Sequence, residues 1–208
     1  MTANLPNILT ASRIAAIPIL TALFFLEGDA ARWAALAVFA LAALTDYLDG
    51  YLARARHWQS KLGQFLDPVA DKLLVASVIF LLAAFDRISG FAIVMALIIL
   101  CREILISGLR EYLAQSAVEV PVSALAKWKT AIQMLAMTFL IIGDAAPWAQ
   151  ARLLGEIGLT AAAALTLITG YGYLRGAIGH MRSQGGTGSG EESEAEEKPE
   201  PRPATRTG

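Results

Sequence analysis

The chain has 208 residues, 56% of them apolar and only 17% charged, with a mean hydropathy of +0.53. That balance excludes an ordinary soluble domain and points to a membrane protein. The net charge of −1 is unevenly spread, with −3 carried by residues 183–208 and +2 by the rest, so no basic surplus calls for nucleic acid, and the single cysteine, Cys101, excludes both a disulfide framework and a cysteine metal site.

In chain order, residues 1–9 (MTANLPNIL) are short and uncharged, with no basic leader and cleavage site. They are expected to be retained as an interfacial lead-in broken at Pro6. Uncharged runs then cover 14–26, 33–45, 73–85, 88–101, 130–143 and 157–174. Five of the six hold only 13 or 14 residues, fewer than the ~20 that cross a bilayer core. The runs 33–45 (WAALAVFALAALT) and 88–101 (ISGFAIVMALIILC) have no polar face, which a helix on a soluble surface would need. The reading that fits is six transmembrane helices, each completed by a charged segment.

Those charged segments fall consistently. With the N-terminus inside, Arg13 lies at the inner end of the first helix, and Asp46, Asp49 and Arg54 at that of the second. Asp67, Asp71 and Lys72 belong to the third, Arg102, Glu103 and Arg110 to the fourth, Lys127 and Lys129 to the fifth, and Arg175 to the sixth. Only Arg32, Arg87 and Arg152 fall on the other side, leaving 14 of 17 Lys and Arg inside, as the positive-inside rule requires. Trp33 and Trp148 mark the outer interface, Trp58 and Trp128 the inner one. The expected fold is an all-α integral membrane protein with six transmembrane helices, N-in and C-in. Its domain spans 1–182, with the active site on the cytoplasmic side. Residues 183–208 are Gly, Ser, Glu and Pro with almost no apolar side chains, and are expected to form a disordered tail.

The chemistry concentrates in two acidic pairs. Asp46 and Asp49 are three apart, Asp67 and Asp71 four apart, so each pair shares a helix face. Carboxylates gathered in a partly desolvated place repel one another unless cations neutralise them. Hard oxygen donors without His or Cys select Mg²⁺ or Mn²⁺ over zinc, and four acids suit two metals, as in two-metal phosphoryl chemistry. Salt bridges to Arg54, Arg56, Lys61 and Lys72 are the structural alternative. Intramembrane ionisable groups are more often functional.

The full pattern Asp46-x2-Asp49-Gly50-x2-Ala53-Arg54-x8-Gly63-x3-Asp67-x3-Asp71 resembles the signature of the CDP-alcohol phosphotransferase family without a mismatch. The resemblance extends over most of residues 5–175. The segments NLPNILTASRIAAIP, CREILISGLREYLA and AKWKTAIQM are most similar to members that accept glycerol 3-phosphate. The family resemblance implies a homodimeric enzyme of anionic phospholipid synthesis, in the bacterial cytoplasmic membrane, that moves a phosphatidyl group from CDP-diacylglycerol to an alcohol and releases CMP. It implies a two-metal site at Asp46, Asp49, Asp67 and Asp71, with Asp71 as general base. Asp49, Gly50, Ala53, Arg54, Gly63 and Asp67 would bind the CDP-lipid, and Asn7, Thr10 and Arg13 would line the site. Capping of a helix by Thr10 is the local alternative.

Arg102, Arg110, Lys127 and Lys129 are more cationic charge than a neutral alcohol needs. Arg102 and Arg110 share a helix face, while Lys127 and Lys129, about 200° apart, are not expected to point the same way. Arginine forks match phosphate oxygens, so an anionic acceptor such as glycerol 3-phosphate is expected. Headgroup anchoring is the simpler role for each. Phosphatidylglycerol (giving cardiolipin), inositol phosphate or serine as acceptor, a divalent-cation transporter, and a prenyltransferase with Asp-rich motifs are the competing readings.

Overall fold

The computed structural model describes residues 5–56, 61–115, 124–148 and 150–194, with side chains over 10–45, 66–111, 113, 125, 127–148 and 150–176. Six α-helices lie among the described residues: α1 (Leu5–Phe25), α2 (Asp29–Arg56), α3 (Lys61–Ala84), α4 (Phe91–Gln115), α5 (Ala124–Ile142) and α6 (Ala151–Glu194). A 3-10 turn, Gly143–Ala145, follows α5. The all-α, six-helix expectation holds over these residues. Two helices, over Phe91–Glu111 and Ala151–Gly176, are long and apolar enough to cross a membrane, and a shorter apolar stretch covers Thr10–Phe25.

The helices close into a ring in the order α1, α2, α5, α6, α4, α3, and α3 and α5 also meet across it. Periodicity explains the contacts. On α1 the buried residues are Thr10, Arg13, Ala16, Leu20 and Phe24, the three-to-four spacing of one helical face. On α2 they are Ala31, Ala35, Phe39 and Ala42, and the three alanines let α1 approach closely. The centre of the ring is filled by Leu74, Val78, Ile99, Met137, Leu140 and Leu159. Phe80, Phe91, Leu97, Leu105, Ile157 and Ile168 are more than 50% exposed, so the outward surface is apolar as well, unlike a soluble bundle.

Two glycines fix the tightest helix pair. A Cβ on Gly155 would sit 2.6 Å from Leu140 Cγ, and one on Gly158 would sit 3.0 Å from Ala136 Cβ. The α5–α6 contact therefore needs Gly155 and Gly158 opposite Ala136, a small-residue seam of the kind that lets membrane helices pack.

Three details differ from the sequence expectations. Pro6 lies inside the first turn of α1, where its missing N–H has no helical partner to lose, so it does not break a lead-in. Because α1 begins at Leu5, Thr10 sits in the second turn and is not a cap. Helix α6 runs to Glu194, past Ser183, where disorder was expected. Extending a formed helix avoids the cost of nucleation, which a composition argument does not count. Residues 195–208 of the expected tail lie outside the described residues.

Arg32, Arg87 and Arg152, which the charge pattern set apart, all tie down connections at one end of the bundle. Arg87 Nη1 donates to the Ile141 carbonyl at 2.6 Å, and its guanidinium lies 4.0 Å over the Phe24 ring. Burial, helped by the charge on Arg32 and opposed by Asp144, lowers its pKa to about 10, so it stays charged at neutral pH. Arg32 reaches the Ile142 carbonyl and Asp144, each at 3.5 Å. Arg152 meets the Asp86 carbonyl and Glu156, each at 3.3 Å. Asp86 itself closes α3 in the left-handed conformation (φ 53°). The Arg87 N–H reaches the Leu82 carbonyl at 2.9 Å and the Asp86 N–H that of Ala83 at 3.3 Å, the two bonds of a Schellman cap.

Candidate active site

At the opposite end, two helices, α1 and α3, bring an acid, a base and a hydroxyl together. Asp67, near the start of α3, accepts at Oδ1 a hydrogen bond from the Thr10 hydroxyl and one from Arg13 Nη2 at 3.1 Å. Arg13 is 1% exposed and Asp67 26%. Thr10 and Arg13 can reach it because they lie three apart on the buried face of α1, which packs on both α2 and α3. One turn further along α3 lies Asp71, also partly buried and on the same face.

The second part of the site joins α4, α5 and α6. Glu103 Oε1 accepts from Lys129 Nζ and, at 3.4 Å, from Arg102 Nη1. Lys129 is 3% exposed and lies within electrostatic reach of Glu103, Arg102 and Asp71, which connects this cluster to the α3 acids. Arg102 Nη2 donates to Thr169 Oγ1 at 3.0 Å, and Arg110 Nη2 to the Tyr173 hydroxyl at 3.1 Å. Lys127 is exposed, so only one of the two α5 lysines turns inward, as their spacing predicts. Glu111 does not take Arg110. It borders a shallow groove of about 220 Å³ with Pro68, Lys72 and Ser107.

Of the expected site residues, Thr10, Arg13, Asp67, Asp71, Arg102, Arg110 and Lys129 are thus carried at one end of the bundle. Asp46, Asp49, Gly50, Ala53 and Arg54 lie on the closing turns of α2, Gly63 in the first turn of α3 and Asn7 in the first turn of α1. Their side-chain positions lie outside the described residues. Sequence reasoning missed Glu103 as the shared partner of Arg102 and Lys129, and Thr169 and Tyr173 as arginine acceptors. A Glu beside a deep Arg was the only signal available for the first.

The donor chemistry fits a hard divalent cation: Asp67 and Asp71 are carboxylates one turn apart on a partly exposed face. Among the described residues no three Asp, Glu, His or Cys side chains come together; the side chains of Asp46 and Asp49 on α2 are not among them.

Apolar helices that expose apolar side chains, closed by an ionic layer of acids and arginines at one end, define a helical membrane-type protein. Residues 3–168 match the model of the CDP-alcohol phosphatidyltransferase family. A protein of Rickettsia bellii named CDP-diacylglycerol–glycerol-3-phosphate 3-phosphatidyltransferase is 47% identical over 173 residues, 83% of this chain and 94% of that protein. One of the same name from Rickettsia typhi is 45% identical over 83% of this chain and 96% of its own length. A rice protein named cardiolipin synthase (CMP-forming) is 43% identical over 149 residues, 66% of this chain and 45% of that protein. The chain belongs to the CDP-alcohol phosphatidyltransferase family, and is a transferase of phospholipid biosynthesis. Membership replaces the transporter and prenyltransferase readings.

Proposed function

We propose that this protein transfers the phosphatidyl group of CDP-diacylglycerol to glycerol 3-phosphate, giving phosphatidylglycerophosphate and CMP. The observation that carries the reading is the unbroken motif from Asp46 to Asp71 inside the family match. The Rickettsia relatives, named for this reaction, cover most of the chain and set the choice of acceptor.

The acceptor hydroxyl attacks the phosphorus that bears diacylglycerol. A new P–O bond forms, the pyrophosphate P–O bond to CMP breaks, and the hydroxyl proton passes to the Asp71 carboxylate. Asp46, Asp49, Asp67 and Asp71 would hold two divalent ions, Mg²⁺ or Mn²⁺. When bound, these would supply neutralisation of the pyrophosphate and of the departing CMP. Arg13 and Thr10 hold Asp67 in place. Gly50, Ala53, Arg54 and Gly63 shape the nucleotide pocket, and Asn7 borders it. Arg102, Arg110 and Lys129 take the acceptor's phosphate, with Lys127 at the rim. Glu103 keeps Lys129 and Arg102 from repelling each other when no anion is present.

All six helices span the cytoplasmic membrane of a bacterium, with both termini inside, and the protein works as a homodimer. Support comes from the apolar outward faces and from the sorting of charge. Arg32, Arg87 and Arg152 secure one end, and Asp67, Asp71, Glu103 and the cations Arg13, Arg102, Arg110 and Lys129 occupy the other. An intramembrane active site then faces the leaflet where water-soluble glycerol 3-phosphate and a lipid substrate meet.

A second reading, phosphatidylglycerol as acceptor giving cardiolipin, is favoured by the rice relative. Purified protein given CDP-diacylglycerol, a divalent metal and either labelled acceptor separates them. Label from glycerol 3-phosphate entering the lipid phase supports the first reading. Conversion of labelled phosphatidylglycerol to cardiolipin in its place supports the second.

A further inference from the structure

The family match ends at residue 168, and the next turns of α6 hold three residues that touch the arginines of α4. Thr169 is 7% exposed and accepts from Arg102 Nη2 at 3.0 Å, while its own hydroxyl donates to the Leu165 carbonyl at 2.8 Å. Gly170 has no side chain where one would crowd the same arginine: its Cβ would lie 3.3 Å from both Cγ and Nε of Arg102. Tyr173, 7% exposed, accepts from Arg110 Nη2 at 3.1 Å and lies with its ring centroid 5.7 Å from the Arg110 Cζ.

The spacing is regular on both helices. Thr169 and Tyr173 are one turn apart on α6 (i, i+4), and Arg102 and Arg110 share a face of α4 (i, i+8). Two long cationic side chains each receive a hydroxyl acceptor from the same neighbouring helix. An arginine has several rotatable bonds, and holding its fork in one orientation removes entropy that would otherwise be lost when a phosphate binds. Thr169 and Glu103 take different terminal nitrogens of Arg102, which fixes the plane of the fork as well as its position.

We infer that Thr169, Gly170 and Tyr173 form a seat on α6 that orients Arg102 and Arg110, and that this seat sets the enzyme's preference for a phosphate-bearing acceptor. The inference rests on the proposed acceptor role of those arginines. The three are positioning residues: they act on the acceptor through Arg102 and Arg110 and on neither the CDP-lipid nor the metal ligands.

The test is steady-state kinetics on full-length protein in mixed micelles, varying glycerol 3-phosphate and CDP-diacylglycerol separately. Thr169→Val keeps the shape and removes the hydroxyl, and Tyr173→Phe does the same at the second arginine. Each is expected to raise KM for glycerol 3-phosphate by about tenfold, with KM for CDP-diacylglycerol and kcat within about twofold. Thr169→Ser should restore the wild-type KM, and Gly170→Ala should behave like Thr169→Val. Equal changes in both KM values, or an unchanged glycerol 3-phosphate KM in both hydroxyl-deleted variants, would overturn the seat while leaving the proposed reaction standing. Should the wild type turn over a different phosphate-bearing acceptor, the proposed reaction fails, and that acceptor's KM becomes the readout for the seat. A wild type that uses only uncharged alcohols overturns both. Thr169→Ser guards against a folding defect, because a variant that folds poorly for other reasons is not rescued by a hydroxyl.

Discussion

Arg13 and Asp67 meet at 3.1 Å across α1 and α3, the guanidinium almost wholly buried and the carboxylate a quarter exposed. Breaking a buried ion pair from one side leaves a charge without compensation and costs several kcal/mol. Asp67 keeps some contact with solvent, so the loss should be at the lower end. Arg13→Met is expected to destabilise the protein by about 2–3 kcal/mol, read as a lowered unfolding midpoint in detergent. The double variant Arg13→Met/Asp67→Asn should recover much of that stability and none of the activity. A double variant as unstable as Arg13→Met would show that the pair is not the source of the effect.

Asp71 lies one turn beyond Asp67 on α3, within electrostatic reach of Lys129. As the proposed base, it should be needed for proton transfer more than for holding the CDP-lipid. Asp71→Asn is expected to lower kcat by about 10²–10⁴-fold, with CDP-diacylglycerol binding largely retained by equilibrium titration. Near-normal kcat would remove the base assignment. Loss of CDP-lipid binding together with kcat would assign Asp71 to the metal site alone.

The α5–α6 seam predicts a steric effect that can be reversed. Gly155→Ala places a methyl 2.6 Å from Leu140 Cγ, and overpacking of this kind costs about 1–3 kcal/mol. A lowered thermal midpoint is expected, and Leu140→Ala in the same chain should offset part of it by vacating the contested volume. If Gly155→Ala unfolds at the wild-type temperature, the helices are not held at this separation.

Membrane orientation can be read with single cysteines. With Cys101→Ser as background, Ser89→Cys lies in the α3–α4 connection at the end secured by Arg32, Arg87 and Arg152. Ser183→Cys lies on α6 at the other end. A membrane-impermeant maleimide should label Ser89→Cys in intact spheroplasts and Ser183→Cys only in inverted vesicles. The reverse pattern would invert the proposed topology, and labelling of both from one side would break it.

The placement of the charged groups was legible in the sequence because lipid makes ionisable groups conspicuous. Asp67, Asp71, Arg102, Arg110 and Lys129 stand out at the ends of apolar runs, and the structure carries them at one end. What was not legible came from contacts between helices distant in sequence. That α1 packs on both α2 and α3, and so delivers Thr10 and Arg13 to Asp67, depends on the order of the ring, which no single segment encodes. Gly155 and Gly158 are ordinary helix residues until Leu140 and Ala136 come against them. Thr169 and Tyr173 look like unremarkable side chains of a membrane helix. Their role becomes visible only when α4 is laid alongside. The run of α6 beyond Ser183 was missed because composition weighs burial and ignores the helix already formed upstream.

The most direct test of the central claim measures CMP release and lipid labelling together. Purified protein receives CDP-diacylglycerol, radiolabelled glycerol 3-phosphate and Mg²⁺ or Mn²⁺. The account predicts one CMP released for each labelled glycerol phosphate that enters the organic phase, and neither product when the metal is chelated. CMP release with another alcohol but none with glycerol 3-phosphate would contradict it.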